Sequence, residues 1–130
     1  MSGSVTHFEV YGDNPDRLAV FYQRVLGWET ERMPGVAYWR ARVPSEAAQP
    51  LVSGGIAYRA VPGFNGWLMY AQVASVDHTA ALITELGGAV VRPKTAVPRT
   101  AWVTIVSDPE KNIFGIWEPD PNAFPMPEPD

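Results

Sequence analysis

His7 and Glu9 stand two residues apart in the stretch VTHFEVY, near one end of a 130-residue chain that contains only two histidines. Imidazole titrates near neutrality, so His7 is the natural general acid or base; the competing reading is a half-buried histidine whose hydrogen bonds are satisfied. On a strand, residues 7 and 9 share a face and lie about 7 Å apart. Glu9 is then placed to orient a ligand, or simply to pair with Arg40 or Arg42. Arg40 suits a carboxylate or phosphate held bidentately, and equally an exposed edge. Tyr70 is a second candidate for proton transfer. Tyr38 and Gln72 supply polar groups, and Trp102 and Trp117 offer flat surfaces for stacking on a ligand or for an interface. His78 follows Asp77 and reads as a solvent-exposed residue. Gly115 interrupts the apolar run Phe114-Gly115-Ile116-Trp117, and such a glycine marks a bulge or a close approach by a ligand or another chain segment.

Several chemistries are excluded. There is no cysteine, hence no disulfide, thiolate metal site or cysteine nucleophile. No phosphate-cradling glycine loop, G-x-S-x-G elbow or H-E-x-x-H pair occurs. The formal net charge is −4 with no basic stripe, which argues against nucleic acid. No apolar run reaches membrane-spanning length and no leader pattern opens the chain, so a cytoplasmic protein with no membrane partner is expected.

The elements that must position these residues read as a repeat. Residues 5–11 form a strand. Asp13 to Asp16 carry helix-start chemistry, and Leu18, Phe21, Tyr22, Val25 and Leu26 recur at helical spacing until Gly27. Strands follow at 28–32, 36–43 and 55–60, with a turn at Met33-Pro34-Gly35 and a loop from Pro44 to Pro50. After the linker VPGFNG the pattern restarts: a strand at 67–74, a helix capped by Asp77 and ended by Gly87-Gly88, then strands at 89–92, 100–106 and 112–118. Asp16 precedes Gly27 by the same interval as Asp77 precedes Gly88. Two βαβββ modules, 1–60 and 61–120, with a Pro-rich tail over 121–130, follow from that alignment. Each module is too small to stand alone. Alternation puts His7, Glu9 and Tyr11 on one face and Phe8 and Val10 on the other. It separates Tyr38, Arg40 and Arg42 from Ala37, Trp39, Ala41 and Val43. Tyr70 falls with Gln72, Trp102 with Thr104, and Trp117 with Gly115. Trp28, Trp39 and Phe21 are assigned to the core.

The segments HFEVYGDNPDRLAVFYQRVLGW, VASVDHTAALITELGG and VSDPEKNIFGIWEPD, with the Gly-Gly before Ile56, resemble the vicinal oxygen chelate superfamily of glyoxalase I, extradiol dioxygenases and bleomycin-resistance proteins. Within it, the chain is similar to the proteins related to lactoylglutathione lyase. The resemblance implies an α+β fold whose two βαβββ modules build a curved mixed sheet with a concave cup, and it implies a homodimer. It places the superfamily's four metal ligands at His7, Gly55, Tyr70 and Gly115. Only His7 is a usual ligand, and a phenol must lose a proton near pH 10 to become one. No metal and no cofactor are therefore expected, and the cup is read as a site for a small organic ligand.

Three readings stand. One is a metal-independent lyase or isomerase on a small oxygenated metabolite, with His7, Glu9 and Tyr70 moving protons and Tyr38, Arg40, Gln72, Trp102, Gly115 and Trp117 lining the site. Another is a non-catalytic binder of the bleomycin-resistance type. The third is a metal-dependent lyase or dioxygenase with a shifted ligand set such as His7, Glu9 and Glu118, against which the strand parity of Glu118 speaks.

Overall fold

The computed structural model describes residues 3–43, 53–59 and 61–125. The loop expected at 44–50, residue 60 and the last five positions of the tail lie outside them. The chain forms two compact units. The first is Thr6–Leu68, and the second comprises Met69 onward together with the segment up to Val5.

The element order is β1 (Val5–Tyr11), α1 (Pro15–Leu26), β2 (Glu29–Arg32), β3 (Tyr38–Arg42), β4 (Ser53–Ala57), β5 (Gly66–Gln72), α2 (Val76–Glu85), β6 (Ala89–Val97), β7 (Ala101–Ser107) and β8 (Ile113–Pro119). The fold is α+β and reads βαβββ twice. In the first unit the strand order is β2-β3-β4-β1, with β1 and β4 parallel and the other pairs antiparallel. In the second the order is β5-β8-β7-β6, with β5 and β8 parallel. Among the described residues, no helix is long and apolar enough to cross a membrane.

Local chemistry sets the helix ends. Asn14 caps α1 by accepting the Arg17 N–H at 3.1 Å, and Pro15 opens the helix where its missing N–H costs nothing. Gly27 ends it in the left-handed conformation at φ 71°. The second helix departs from expectation, because Ser75 rather than Asp77 is its cap and accepts the His78 N–H at 3.1 Å. Asp77 sits one position inside the helix, where it favours the positive end of the helix dipole and pairs with Lys94 at 2.9 Å.

In the first unit, Phe8, Val10, Trp28 and Ala41 form one buried cluster and Ala19, Trp39 and Ile56 another, both packed by Leu18 and Tyr22 of α1. Phe21 is not in this core and is 53% exposed. It lies two positions beyond the buried Ala19, about 200° around the helix. The second unit buries Val76, Val106 and Ile116 beneath α2. Strand β6 runs to Val97, beyond the expected end at residue 92, because its register shifts between Val90 and Arg92 and again between Arg92 and Thr95, across Pro93, rather than stopping there. An edge strand tolerates that proline. The tail is not free-running as far as Pro125: Ala123 is buried, its carbonyl accepts the Arg99 N–H at 2.7 Å, and Arg99 lies 5.4 Å from the Phe124 ring.

Candidate functional site

Register decides which side chains of the first unit share a face. Glu9 pairs with Gly55 across β1 and β4, and Arg40 pairs with Gly55 across β3 and β4. Residues 7, 9, 11, 38, 40 and 55 therefore point one way. Phe8, Val10, Trp39, Ala41 and Ile56 point the other way, into the clusters packed by α1.

On the first of these faces the Tyr38 hydroxyl meets His7 Nε2 at 3.1 Å. The same nitrogen is 3.7 Å from Glu9 Oε2, and Tyr11 donates its hydroxyl proton to Glu9 Oε1. His7 and Glu9 are mostly buried, with side-chain exposures of 28% and 16%. The chain of contacts is thus Tyr38, His7, Glu9, Tyr11.

Strands β3 and β1 are not neighbours; β4 lies between them, so they are about 10 Å apart. Tyr38 reaches His7 by passing over Gly55. A Cβ at residue 55 would lie 1.8 Å from the Tyr38 hydroxyl oxygen and 2.1 Å from its Cζ, so any side chain there forbids the contact. Gly54 does the same on the opposite face. A Cβ there would be 2.2 Å from the ring of Phe8, which stacks on Trp67 at 5.2 Å and tilts against Trp28 at 5.1 Å. The Gly-Gly pair thus lets an aromatic ring lie over β4 on each face, and on one face Tyr38 crosses it to reach β1.

The second unit repeats the device differently. Tyr70 is the direct partner of Gly115 and Gln72 that of Trp117. A Cβ at 115 would lie 2.4 Å from the Tyr70 ring, and Tyr70 is only 6% exposed. The expected face shared by Tyr70, Gln72, Gly115 and Trp117 is present. Trp102 does not share it, which corrects the sequence reading. It pairs with Glu118 on the other side of the sheet, packs against the cluster under α2, donates to Asp120 at 3.0 Å and carries Lys94 over its ring at 4.5 Å. Glu118 is engaged there too, accepting the Val76 N–H at 2.9 Å.

Register also changes the internal alignment. Tyr70 faces Gly115 as Glu9, not His7, faces Gly55. His7 corresponds by strand position to Leu68, which is 1% exposed.

A divalent metal at the superfamily's positions does not fit these residues. The volumes where Gly55 and Gly115 would need carboxylates are filled by tyrosine rings, and among the described residues no group of three or more His, Asp or Glu is placed to hold an ion. Sequence reasoning assigned no role to Tyr11, although its i, i+2 spacing from Glu9 on one strand face was visible. It also grouped Tyr38 with the lining rather than with His7. Arg40 is exposed on the same face, whereas Arg42 is paired with Glu29 at 3.1 Å.

Comparison with known proteins agrees with this architecture. The family model for the glyoxalase-like domain matches residues 9–117. Two mycobacterial relatives, the "Putative glyoxylase CFP32" of Mycobacterium bovis and of Mycobacterium tuberculosis, are each 30% identical over 121 residues, covering 92% of this chain and 46% of theirs. The chain therefore spans about half the length of the curated relatives it matches. Among solved structures, a Streptomyces coelicolor methylmalonyl-CoA epimerase in complex with 2-nitronate-propionyl-CoA superposes with a TM-score of 0.62 at 14% identity, covering 95% of this chain and 99% of that one. The epimerase from Mycobacterium tuberculosis gives 0.58 at 12% identity, covering 92% and 89%. At such identities the likeness speaks for the fold alone. With the family model covering nearly the whole repeat, the chain belongs to the glyoxalase-like domain family of the vicinal oxygen chelate superfamily.

Proposed function

We propose that the protein is a metal-independent proton-transfer enzyme of the lyase or isomerase type, acting on a small oxygenated metabolite at the face of its first unit that carries His7. The observation that carries this is the 3.1 Å contact between His7 Nε2 and the Tyr38 hydroxyl, made through the gap left by Gly55. In the reaction, Tyr38 Oη takes a proton from a carbon next to a substrate carbonyl while its own proton passes to His7 Nε2. The two transfers occur in concert, so no free phenolate forms near neutrality despite a phenol pKa of about 10. The imidazolium that results lies 3.7 Å from the Glu9 carboxylate. Tyr11 fixes that carboxylate by hydrogen bonding to its other oxygen. Return of the proton to another carbon, or to the opposite face of the same carbon, completes the cycle and restores both groups. Arg40, exposed on this face, is the residue for an anionic substituent.

The relatives' name and the epimerase fold motivate two probes, the glutathione adduct of a 2-oxoaldehyde and methylmalonyl-CoA. Deuterium incorporation from heavy water, followed by NMR with EDTA present, is expected for at least one. It should fall at least ~100-fold in His7→Ala and in Tyr38→Phe, on the scale of acid–base catalysis. Exchange that ignores both substitutions, or that stops in EDTA, overturns the assignment.

A second reading rests on the second unit, where Trp117, Gln72 and Tyr70 share a face. A flat organic ligand held there without turnover would make the protein a binder of the bleomycin-resistance type. Ligand recovered unchanged, with affinity lost in Trp117→Ala and kept in His7→Ala, would favour it.

A further inference from the structure

The chain has four asparagines, and they differ in the residue that follows. Asn14 precedes Pro15, which has no N–H to offer. Asn112 precedes Ile113, whose branched side chain crowds its nitrogen. Asn122 precedes Ala123, which is buried and whose N–H is given to the Asp120 carbonyl at 3.1 Å. Asn65 precedes Gly66, which has no side chain to shield its nitrogen and sits at φ 109°, in the region that favours glycine. Asn65 is also exposed. A cation holds its side-chain oxygen: Arg59 donates to Oδ1 from Nε at 2.7 Å and again from Nη2. The third guanidinium nitrogen, Nη1, pairs with the Asp13 carboxylate. All these residues belong to the first unit.

We propose that Asn65-Gly66 is a self-modification site, at which the chain hydrolyses its own side-chain amide with Arg59 as the activating group. The Gly66 nitrogen attacks Asn65 Cγ and gives up its proton, and the side-chain amide leaves as ammonia. A cyclic imide remains. Water then opens it at either carbonyl. Opening at the former side-chain carbonyl yields aspartate, and opening at the backbone carbonyl yields isoaspartate. Water is consumed, ammonia is released and nothing is oxidised. The two bonds from Arg59 draw electron density from Cγ and stabilise the oxyanion formed in the attack, as oxyanion-hole donors do. The amide nitrogen that must leave is not the atom they hold. The aspartate product strengthens the contact, because bonds between a guanidinium and a carboxylate are roughly twice as strong as those between neutral groups. Phe64, next in the chain, packs edge-on against Tyr11 at 6.2 Å, so the site adjoins the residue that fixes Glu9. The reaction uses neither His7 nor Tyr38, so failure of either assignment leaves the other standing.

The test is incubation of the full chain at mildly alkaline pH in water enriched in heavy oxygen, followed by digestion and mass spectrometry. Residue 65 should gain the amide-to-acid mass with the oxygen label, as a mixture of aspartate and isoaspartate, before Asn14, Asn112 or Asn122 reacts. In folded Arg59→Gln the rate at residue 65 should be at least ~3-fold below the parent's, the scale of one hydrogen bond. The gap should close in urea, where neither chain makes the contact. Arg59→Lys keeps the charge without the fork; its rate should lie between the two, and it supplies the comparison if Arg59→Gln does not fold. Asn65→Gln, whose longer side chain cannot close the same ring, should show no conversion there. A folded parent that keeps its amide at residue 65 overturns the proposal. So does a rate in the folded Arg59 variants that equals or exceeds the parent's, or a gap that persists unchanged in urea.

Discussion

Gly55 and Gly115 are the same kind of residue with different consequences. Each is a buried glycine whose missing side chain makes room for a tyrosine ring. In the second unit the ring comes from the strand directly paired with the glycine, and Tyr70 ends buried. In the first unit the ring comes from β3, crosses β4 and delivers its hydroxyl to His7 on β1. The first arrangement sets a hydroxyl against an imidazole, and the second buries its ring against the directly paired strand. A glycine in a strand therefore marks a close approach without revealing whether chemistry comes with it.

The comparison breaks most sharply at Gly55. Gly55→Ala places a methyl group 1.8 Å from the Tyr38 hydroxyl oxygen, so Tyr38 must leave His7. Turnover in the deuterium-exchange assay should drop about as far as in Tyr38→Phe, by ~100-fold. Adding Gly55→Ala to Tyr38→Phe should cost almost nothing more, because the pair acts as a unit. Full additivity would separate the glycine from the catalytic contact.

Gly115→Ala is the matched control. Its methyl group meets the Tyr70 ring at 2.4 Å, an overpacked contact that costs about 1–3 kcal/mol. Urea unfolding should show that loss in the midpoint, while exchange turnover of the folded protein stays within about twofold of the parent. A large loss of turnover with unchanged stability would place Tyr70 in the chemistry after all, as the sequence suggested.

Tyr11→Phe gives a smaller effect in the first unit. It removes the hydroxyl that fixes Glu9 and leaves the His7–Tyr38 contact in place. A loss of about 3- to 10-fold in turnover is expected, the scale of roughly 1 kcal/mol for one hydrogen bond. The matching change on the other unit's face, Gln72→Ala, should leave exchange unaltered.

The two-module plan was legible because its signals are local. Asn14-Pro15 and Gly27 bracket α1 as capping chemistry demands, and alternation grouped His7 with Glu9 and Tyr38 with Arg40 without a structure. What escaped needs register. Parity within β7 cannot reveal which face of the sheet Trp102 takes, because only its pairing with Glu118 and its packing under α2 fix that. The family resemblance set His7 level with Tyr70, whereas strand pairing, in agreement with the matching helix landmarks, aligns Glu9 with it. The Tyr38–His7 contact spans three strands, and no spacing along the chain encodes it. Phe21 was misassigned for a related reason: an apolar residue at helical spacing looks like core whether or not its own sheet covers it.

A last contrast is between two turns at different places in the repeat, one from each unit. The first unit's β2–β3 turn relies on Pro34 and on Gly35 at φ 76°, with no carboxylate in it. The second unit's β7–β8 turn, SDPEKN, is organised by Asp108. Its carboxylate accepts the Glu110 N–H at 2.8 Å, the Asn112 N–H at 3.0 Å and the Asn112 side-chain amide at 2.9 Å. Those bonds, the ones from Asn112 foremost, hold the Asp108 pKa below its ordinary value. A carboxylate more acidic in the folded protein than in the unfolded chain stabilises above the unfolded value of about 3.9, and that contribution fades as pH falls through the folded pKa. Asp108→Ala should therefore lower the melting temperature by a small amount that is constant near neutrality and shrinks as the acid is approached below about pH 4. Pro34→Ala in the first unit's turn should produce a difference with no such pH dependence. Parallel thermal melts of the two variants and the parent from neutral to acid pH make the measurement. A gap for Asp108→Ala that stays constant into acid would mean that Lys111, held at φ 67°, and the backbone bonds between residues 108 and 112 set the turn without the carboxylate.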